Sequence, residues 1–170
     1  MYLLDANVFI EAKNRHFGFD ICPGFWEWLV LCHERGSVFS VEAVRDELLR
    51  GNDELAAWTR SLPASFFLSP DREALPHLAA LSAWASDPVS RFMPIAIGEF
   101  LDSADYVLAA QAKACGRTVV THEVSNPASR RRIMLPDACA ELGVPTIGAY
   151  AFLRREGLRL MLDPTIRSAR

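Results

Sequence analysis

Apolar positions along this chain fall into short runs of strand length separated by longer stretches of helical period. Tyr2-Leu-Leu reads as a short buried strand ending at Asp5. A helix is expected over Pro23–Glu34, opened by Pro-Gly and closed by Gly36. Ser37-Val-Phe is a second strand candidate, and Ser40 is suited to cap a helix running from Val41 to Arg50, with Gly51 as its stop. A short helix over Glu54–Ser61 runs into Pro63, and Ser65-Phe-Phe-Leu makes a third strand. Asp71–Ala85 has helical period with an interruption expected near Pro76.

A long helix is expected from about Glu99 to Cys115, ending at Gly116. Thr118-Val-Val-Thr is the clearest strand, β-branched and directly after a helix stop. Pro136 fits the first position of a helix reaching Glu141. Gly143-Val-Pro-Thr-Ile is a fifth strand candidate, followed by a last helix over Ala149–Glu156. Strands alternating with helices imply an α/β fold with a parallel sheet covered on both faces. No linker interrupts the pattern, so one domain over residues 1–170 is expected, with an exposed tail from about residue 163.

The length of 170 residues suits one core, and half of the residues are hydrophobic, 51%. No apolar run approaches the roughly 18 residues that cross a bilayer, and the start lacks a signal-peptide pattern. A cytoplasmic protein without a membrane role is therefore expected. Cys22, Cys32, Cys115 and Cys139 are scattered, which argues against a zinc site and for free thiols. The net charge of −3 is unusual for a nucleic-acid binder, but bound divalent cations can reverse the local field where phosphate must sit.

The acids carry the chemistry. In a parallel sheet, ligands bind outside the carboxyl ends of the strands, and Asp5 and Glu123 both lie at such ends. Leu101, Asp105, Leu108, Ala112 and Cys115 follow a core-facing stripe, so Asp105 holds a position that asks for an apolar residue. A carboxylate there must be protonated, hydrogen-bonded or bound to a cation. Glu47 borders the stripe of Val41, Val44 and Leu48, whereas Glu42, Asp46 and Asp102 read as facing elsewhere. Asp137 falls in the first turn of a helix, where it could also serve only the helix dipole.

These segments resemble the PIN domain: Tyr-Leu-Leu-Asp-Ala-Asn-Val-Phe-Ile around Asp5, Val-x-x-Glu-Leu around Glu47, Ser-Ala-Asp-Tyr-Val-Leu-Ala-Ala-Gln-Ala around Asp105, and Val-Val-Thr-His-Glu. The resemblance runs in order over most of the chain. It implies a three-layer α/β/α fold with a five-stranded parallel sheet and a nuclease that depends on Mg²⁺ or Mn²⁺, with one or two ions. Asp5, Glu47 and Asp105 match the first three acids of that family. Thr121 matches the strand-end threonine, and Glu123 stands where the fourth acid is usually an aspartate. Asp137 resembles an extra acid of some members, and Asn7 a small polar residue beside the first aspartate. Many small bacterial members are toxins of toxin–antitoxin pairs, which implies RNA as substrate and an antitoxin protein as partner; a homodimer stays open.

Carboxylates are the right donors for hard cations, and such ions can activate water and neutralise charge at a phosphodiester. Asp5 and Asp105 are expected as direct ligands, with Glu47, Glu123 and Asp137 direct or through water, and Asn7 and Thr121 orienting water or phosphate. Arg130, Arg131 and Arg132, with Lys113 and Arg117, are the candidates for gripping the nucleic-acid backbone, against the plainer reading of a solvated loop. His122 could point either way from its strand end, and the tryptophans at helical spacing are expected in the core. Two other classes remain: a non-catalytic nucleic-acid or partner-binding module on the same fold, and a Mg-dependent phosphotransfer protein of haloacid-dehalogenase or receiver type. Asp5-Ala-Asn lacks the second aspartate of the former type, and receivers need an acidic pair before their acceptor.

Overall fold

The computed structural model describes residues 1–161; the expected tail from about residue 163 lies outside the described residues. Five parallel strands form one sheet in the order β3-β2-β1-β4-β5. They are β1 (Tyr2–Leu4), β2 (Val38–Val41), β3 (Phe67–Leu68), β4 (Thr118–Val120) and β5 (Thr146–Ile147). β1 is central, pairing Tyr2 with Val38 of β2 and with Thr118 of β4. Leu3, Leu4, Val119 and Val120 are fully buried, as expected of strands covered on both faces.

The helices that cover the sheet are α1 (Ala6–Glu11), α2 (Pro23–Glu34), α3 (Glu42–Leu49), α4 (Glu54–Ser61), α5 (Leu75–Ser86), α6 (Pro94–Leu101), α7 (Ala104–Ala114), α8 (Leu135–Glu141) and α9 (Ala149–Arg155). Pro76 lies in the first turn of α5, where its missing N–H costs nothing, so it starts that helix instead of interrupting it. Trp26 is buried, and Trp28, Trp58 and Trp84 pack against the core. Cys22, Cys32, Cys115 and Cys139 are free.

Three local departures from expectation position the site. α1 begins directly after Asp5 and continues into a wider π-helical turn over Ala12–His16. No turn residue separates strand from helix, so the periodicity of Ala6, Val8, Phe9 and Ala12 merges into the strand's apolar run. Ser40 does not cap α3; it lies buried in β2 and its hydroxyl donates to the Leu4 carbonyl at 2.6 Å, tying the ends of β2 and β1. The expected helix over Glu99–Cys115 is two helices, broken at Asp102 and Ser103. The Ser103 hydroxyl donates to the Phe100 carbonyl at 2.7 Å and closes α6. Leu101 therefore belongs to another helix than Asp105, and Asp105 stands in the first turn of α7.

Candidate active site

The strand order reverses direction at β1, so the crevice between the carboxyl ends of β1 and β4 is where such a sheet takes a ligand. Asp5 leaves β1 there and is buried, 4% exposed. Its backbone sits at the N-cap position of α1 with extended angles, yet its carboxylate caps nothing on that helix. Oδ2 accepts from the Thr121 hydroxyl instead, at 2.7 Å. The same hydroxyl oxygen accepts from the Asn7 amide and from the Glu123 N–H, both at 3.0 Å. The Asn7 carbonyl oxygen accepts from the His122 N–H at 3.0 Å. Asn7 and Thr121 thus clamp the end of β4 onto the start of α1 and orient Asp5.

Asp5, Glu47, Asp105 and Glu123 line one cavity of about 230 Å³, together with Ser103 and Arg132. The four acids come from four elements: the end of β1, the exposed flank of α3, the first turn of α7 and the loop after β4. Burial is the main cause that raises Asp5 to about 6, with the charges of Glu123 and Glu47 adding to it and the Thr121 bond opposing it. Burial also leads in pushing Asp105 up to about 8, followed by the charges of Asp5 and Glu123, with Arg132 pulling the other way. Two neighbouring acids both raised well above the ordinary carboxylate range mark a pocket short of positive charge.

Glu123 is held differently. One carboxylate oxygen accepts from the Leu135 N–H at 2.8 Å, and the other is paired with the Arg132 guanidinium. Among the described residues, no three Asp, Glu, His or Cys side chains stand close enough to form a ready-made metal cage. The donor set itself is all carboxylate, which suits a hard divalent cation such as Mg²⁺ or Mn²⁺. Asp5, Asp105, Glu47 and Glu123 line the cavity in which such an ion could sit, farther apart than in a ready-made cage and with Glu123 paired to Arg132.

Other expected site residues lie elsewhere. Asp137 is buried, but its carboxylate accepts from the Ser125 hydroxyl and the Asn126 N–H and does not line the acidic cavity. It holds the loop after β4. Arg117 immediately precedes β4, at the opposite end of the sheet from the acids, with its guanidinium 4.0 Å above the Phe39 ring. Lys113, in the last turn of α7, lies at the far end of the helix from Asp105. Neither belongs with Arg130–Arg132, of which Arg132 lines the cavity. His122 is held below its ordinary value by burial, which keeps its ring neutral. Ser103 at the cavity wall carries no signal of that role in the sequence, because only the helix break brings it there.

Sheet order and acid placement together define a three-layer α/β/α protein with an acidic pocket at the switch point of a parallel sheet. The chain belongs to the family described as "Domain of unknown function (DUF4411)", whose family model matches residues 2–160. Its fold is similar to that of a chain in the structure of FitAB bound to an IR36 DNA fragment. The TM-score is 0.52 at 18% identity, covering 95% of this chain and 100% of that one. That likeness shows the fold, and the three-layer α/β/α arrangement with a five-stranded parallel sheet is the one the resemblance implied. No curated protein matches the sequence. Among the described residues, no helix is long and apolar enough to cross a membrane.

Proposed function

We propose that the protein is a divalent-metal-dependent nuclease that hydrolyses RNA phosphodiester bonds, working as the toxin of a toxin–antitoxin pair. The observation that carries the reading is the convergence of Asp5, Glu47, Asp105 and Glu123 on one cavity, with Asp5 and Asp105 raised to about 6 and about 8. The FitAB assembly is bound to DNA, which supports a nucleic-acid setting for this fold. Mg²⁺ or Mn²⁺, when bound, would supply an activated water and neutralise charge on the phosphate. The protein's own contribution is orientation. Thr121 fixes Asp5, the Leu135 N–H fixes one Glu123 oxygen, and Arg132 offers a planar guanidinium to a phosphate oxygen at the cavity wall.

The second reading is a non-catalytic nucleic-acid or partner-binding module, favoured by the engagement of both Glu123 oxygens within the protein. One experiment separates the two. Thermal unfolding is followed with and without Mn²⁺, and cleavage of end-labelled single-stranded RNA and DNA is followed in parallel. The nuclease reading expects metal to raise the melting temperature, RNA to be cut internally, and Asp5→Asn and Asp105→Asn to lose both effects. Variants that respond to metal like the parent would place the metal somewhere else. Metal stabilisation with no cleavage of any strand would favour the binding module.

A further inference from the structure

Arg91 lies far from the 129–132 segment in sequence but is locked to it in space. Its Nε donates to the Ser129 carbonyl at 3.2 Å, and the Arg130 Nε donates back to the Arg91 carbonyl at 3.2 Å. The Met93 N–H donates to the Arg130 carbonyl at 2.8 Å, completing a clasp between two loops. Ser129 stiffens the second loop: its hydroxyl donates to the Arg132 carbonyl at 2.7 Å and accepts from the Arg132 N–H at 3.2 Å. Buried Ile133 anchors the end of that loop in the core.

The clasp presents Arg91, Arg130, Arg131 and Arg132 together, all exposed. In a chain of net charge −3, like-charged side chains crowded at one place are expected to draw carboxylates. Among the described residues only Arg132 has one, Glu123, and the other ion pairs involve Lys13 and Arg15. Arg91 and Arg130 use Nε on backbone carbonyls, which fixes their stems and leaves the outer nitrogens for a ligand. A guanidinium fixed in this way loses less entropy when it meets a phosphate. A cavity of about 120 Å³, lined by Glu99, Ser103, Asp105, Arg132 and Ile133 among others, lies beside the acidic cavity and shares Ser103, Asp105 and Arg132 with it.

We propose that the clasped loops form a phosphate-binding ledge, in which Arg91 acts with Arg130 and Arg131 to lead a single nucleic-acid strand into the acidic cavity. The inference rests on the nuclease reading and extends it by giving the strand its route of entry and Arg91 a role in binding it. Arg91 is a phosphate-binding residue here, outside the acid cluster.

The test measures binding of a labelled single-stranded RNA of about 12 nucleotides in EDTA over a range of salt, so that no chemistry is required. Arg91→Ala and Arg131→Ala should each flatten the salt dependence by roughly 0.7 in slope, about fivefold weaker binding near 0.1 M salt. Arg91→Lys should keep the slope, because the charge remains. Arg131 takes no part in the clasp, so its variant reads phosphate contact even if Arg91→Ala loosens the loops. Unchanged slopes in both alanine variants would overturn the ledge, as would Arg91→Lys and Arg91→Ala behaving alike. Polyglutamate competing as well as RNA of equal charge would also overturn it, in favour of an acidic protein segment. Metal-dependent cleavage with unaltered slopes in the variants would remove the ledge and leave the nuclease; flattened slopes without cleavage by the parent in Mn²⁺ would do the reverse.

Discussion

One hydroxyl, that of Thr121, joins the end of β4 to the carboxylate that follows β1. Its bond lowers Asp5 against burial, so Asp5 stays at about 6 while Asp105, without such a partner, reaches about 8. Both carboxyls are raised above their unfolded values, so each contributes stability that is complete below about pH 4 and is lost as the pH rises through the folded value. In EDTA the protein should therefore lose about 2 kcal/mol between pH 6 and pH 8 from Asp105 alone. Asp105→Asn should abolish most of that slope and be no less stable than the parent at pH 8, as urea midpoints at the two pH values would show. A parent whose stability is flat over this range would mean that Asp105 is ionised and already partnered within the protein. Asp105 was legible in the sequence because an acid stood where a helix pattern asked for an apolar residue. The stripe on α7 starts at Asp105, since Leu101 is in α6. What survives is the anomaly of an acid beside Leu108 and Ala112, both buried.

At the scale of elements, sequence reading succeeds where a boundary has its own chemistry and fails where it does not. Pro23 and Gly36 bracket α2, and Gly116 separates α7 from β4 through a positive φ of 61° that disfavours side chains. The entry into α1 and the break at Asp102 and Ser103 carry only cap-type residues, Asp5 and Ser103 at the N-caps, with no Pro or Gly to force a boundary, and neither side chain bonds to the helix it precedes. Ser40 shows the opposite failure: a good capping residue used for a tertiary bond, because the partner carbonyl of Leu4 is invisible without the fold. Asp137 is the same lesson at the site. Its helix-start position is correct, but the loop after β4 turns back and takes both of its oxygens. Asp137→Ala should then cost about 1–3 kcal/mol of stability, the net worth of the two hydrogen bonds that the exposed Ser125 and Asn126 donate to its carboxylate. The rise in melting temperature on adding Mn²⁺ should persist in that variant, whereas Glu47→Gln should reduce it. Loss of the metal increment in Asp137→Ala alone, with stability intact, would return Asp137 to the list of ligands.

At the scale of the molecule, the acidic cavity exists only when distant parts of the chain are assembled. It needs the end of β1, the flank of α3, the start of α7 and the loop after β4 at once. β1 is the central strand and β4 lies between β1 and β5, and Asp5 is fastened to β4 by its own N–H, which donates to the Val120 carbonyl at 3.0 Å. A cation held there would bind the native fold and have little affinity for the unfolded chain, where the same acids are far apart. By mass action it should stabilise against global unfolding by about 2.7 kcal/mol at a hundredfold excess over its dissociation constant. Hydrogen exchange reads this directly, because the amides of Leu3, Leu4, Val119 and Val120 are placed to exchange only through global opening. Those amides should slow by about 100-fold at that metal concentration, in step with the shift in unfolding midpoint. The exposed loop over residues 126–132 exchanges through local opening and should change far less. Slowing confined to that loop, with the central strands unaffected, would place the ion on the surface near Glu123 and break the link between the four acids and the sheet.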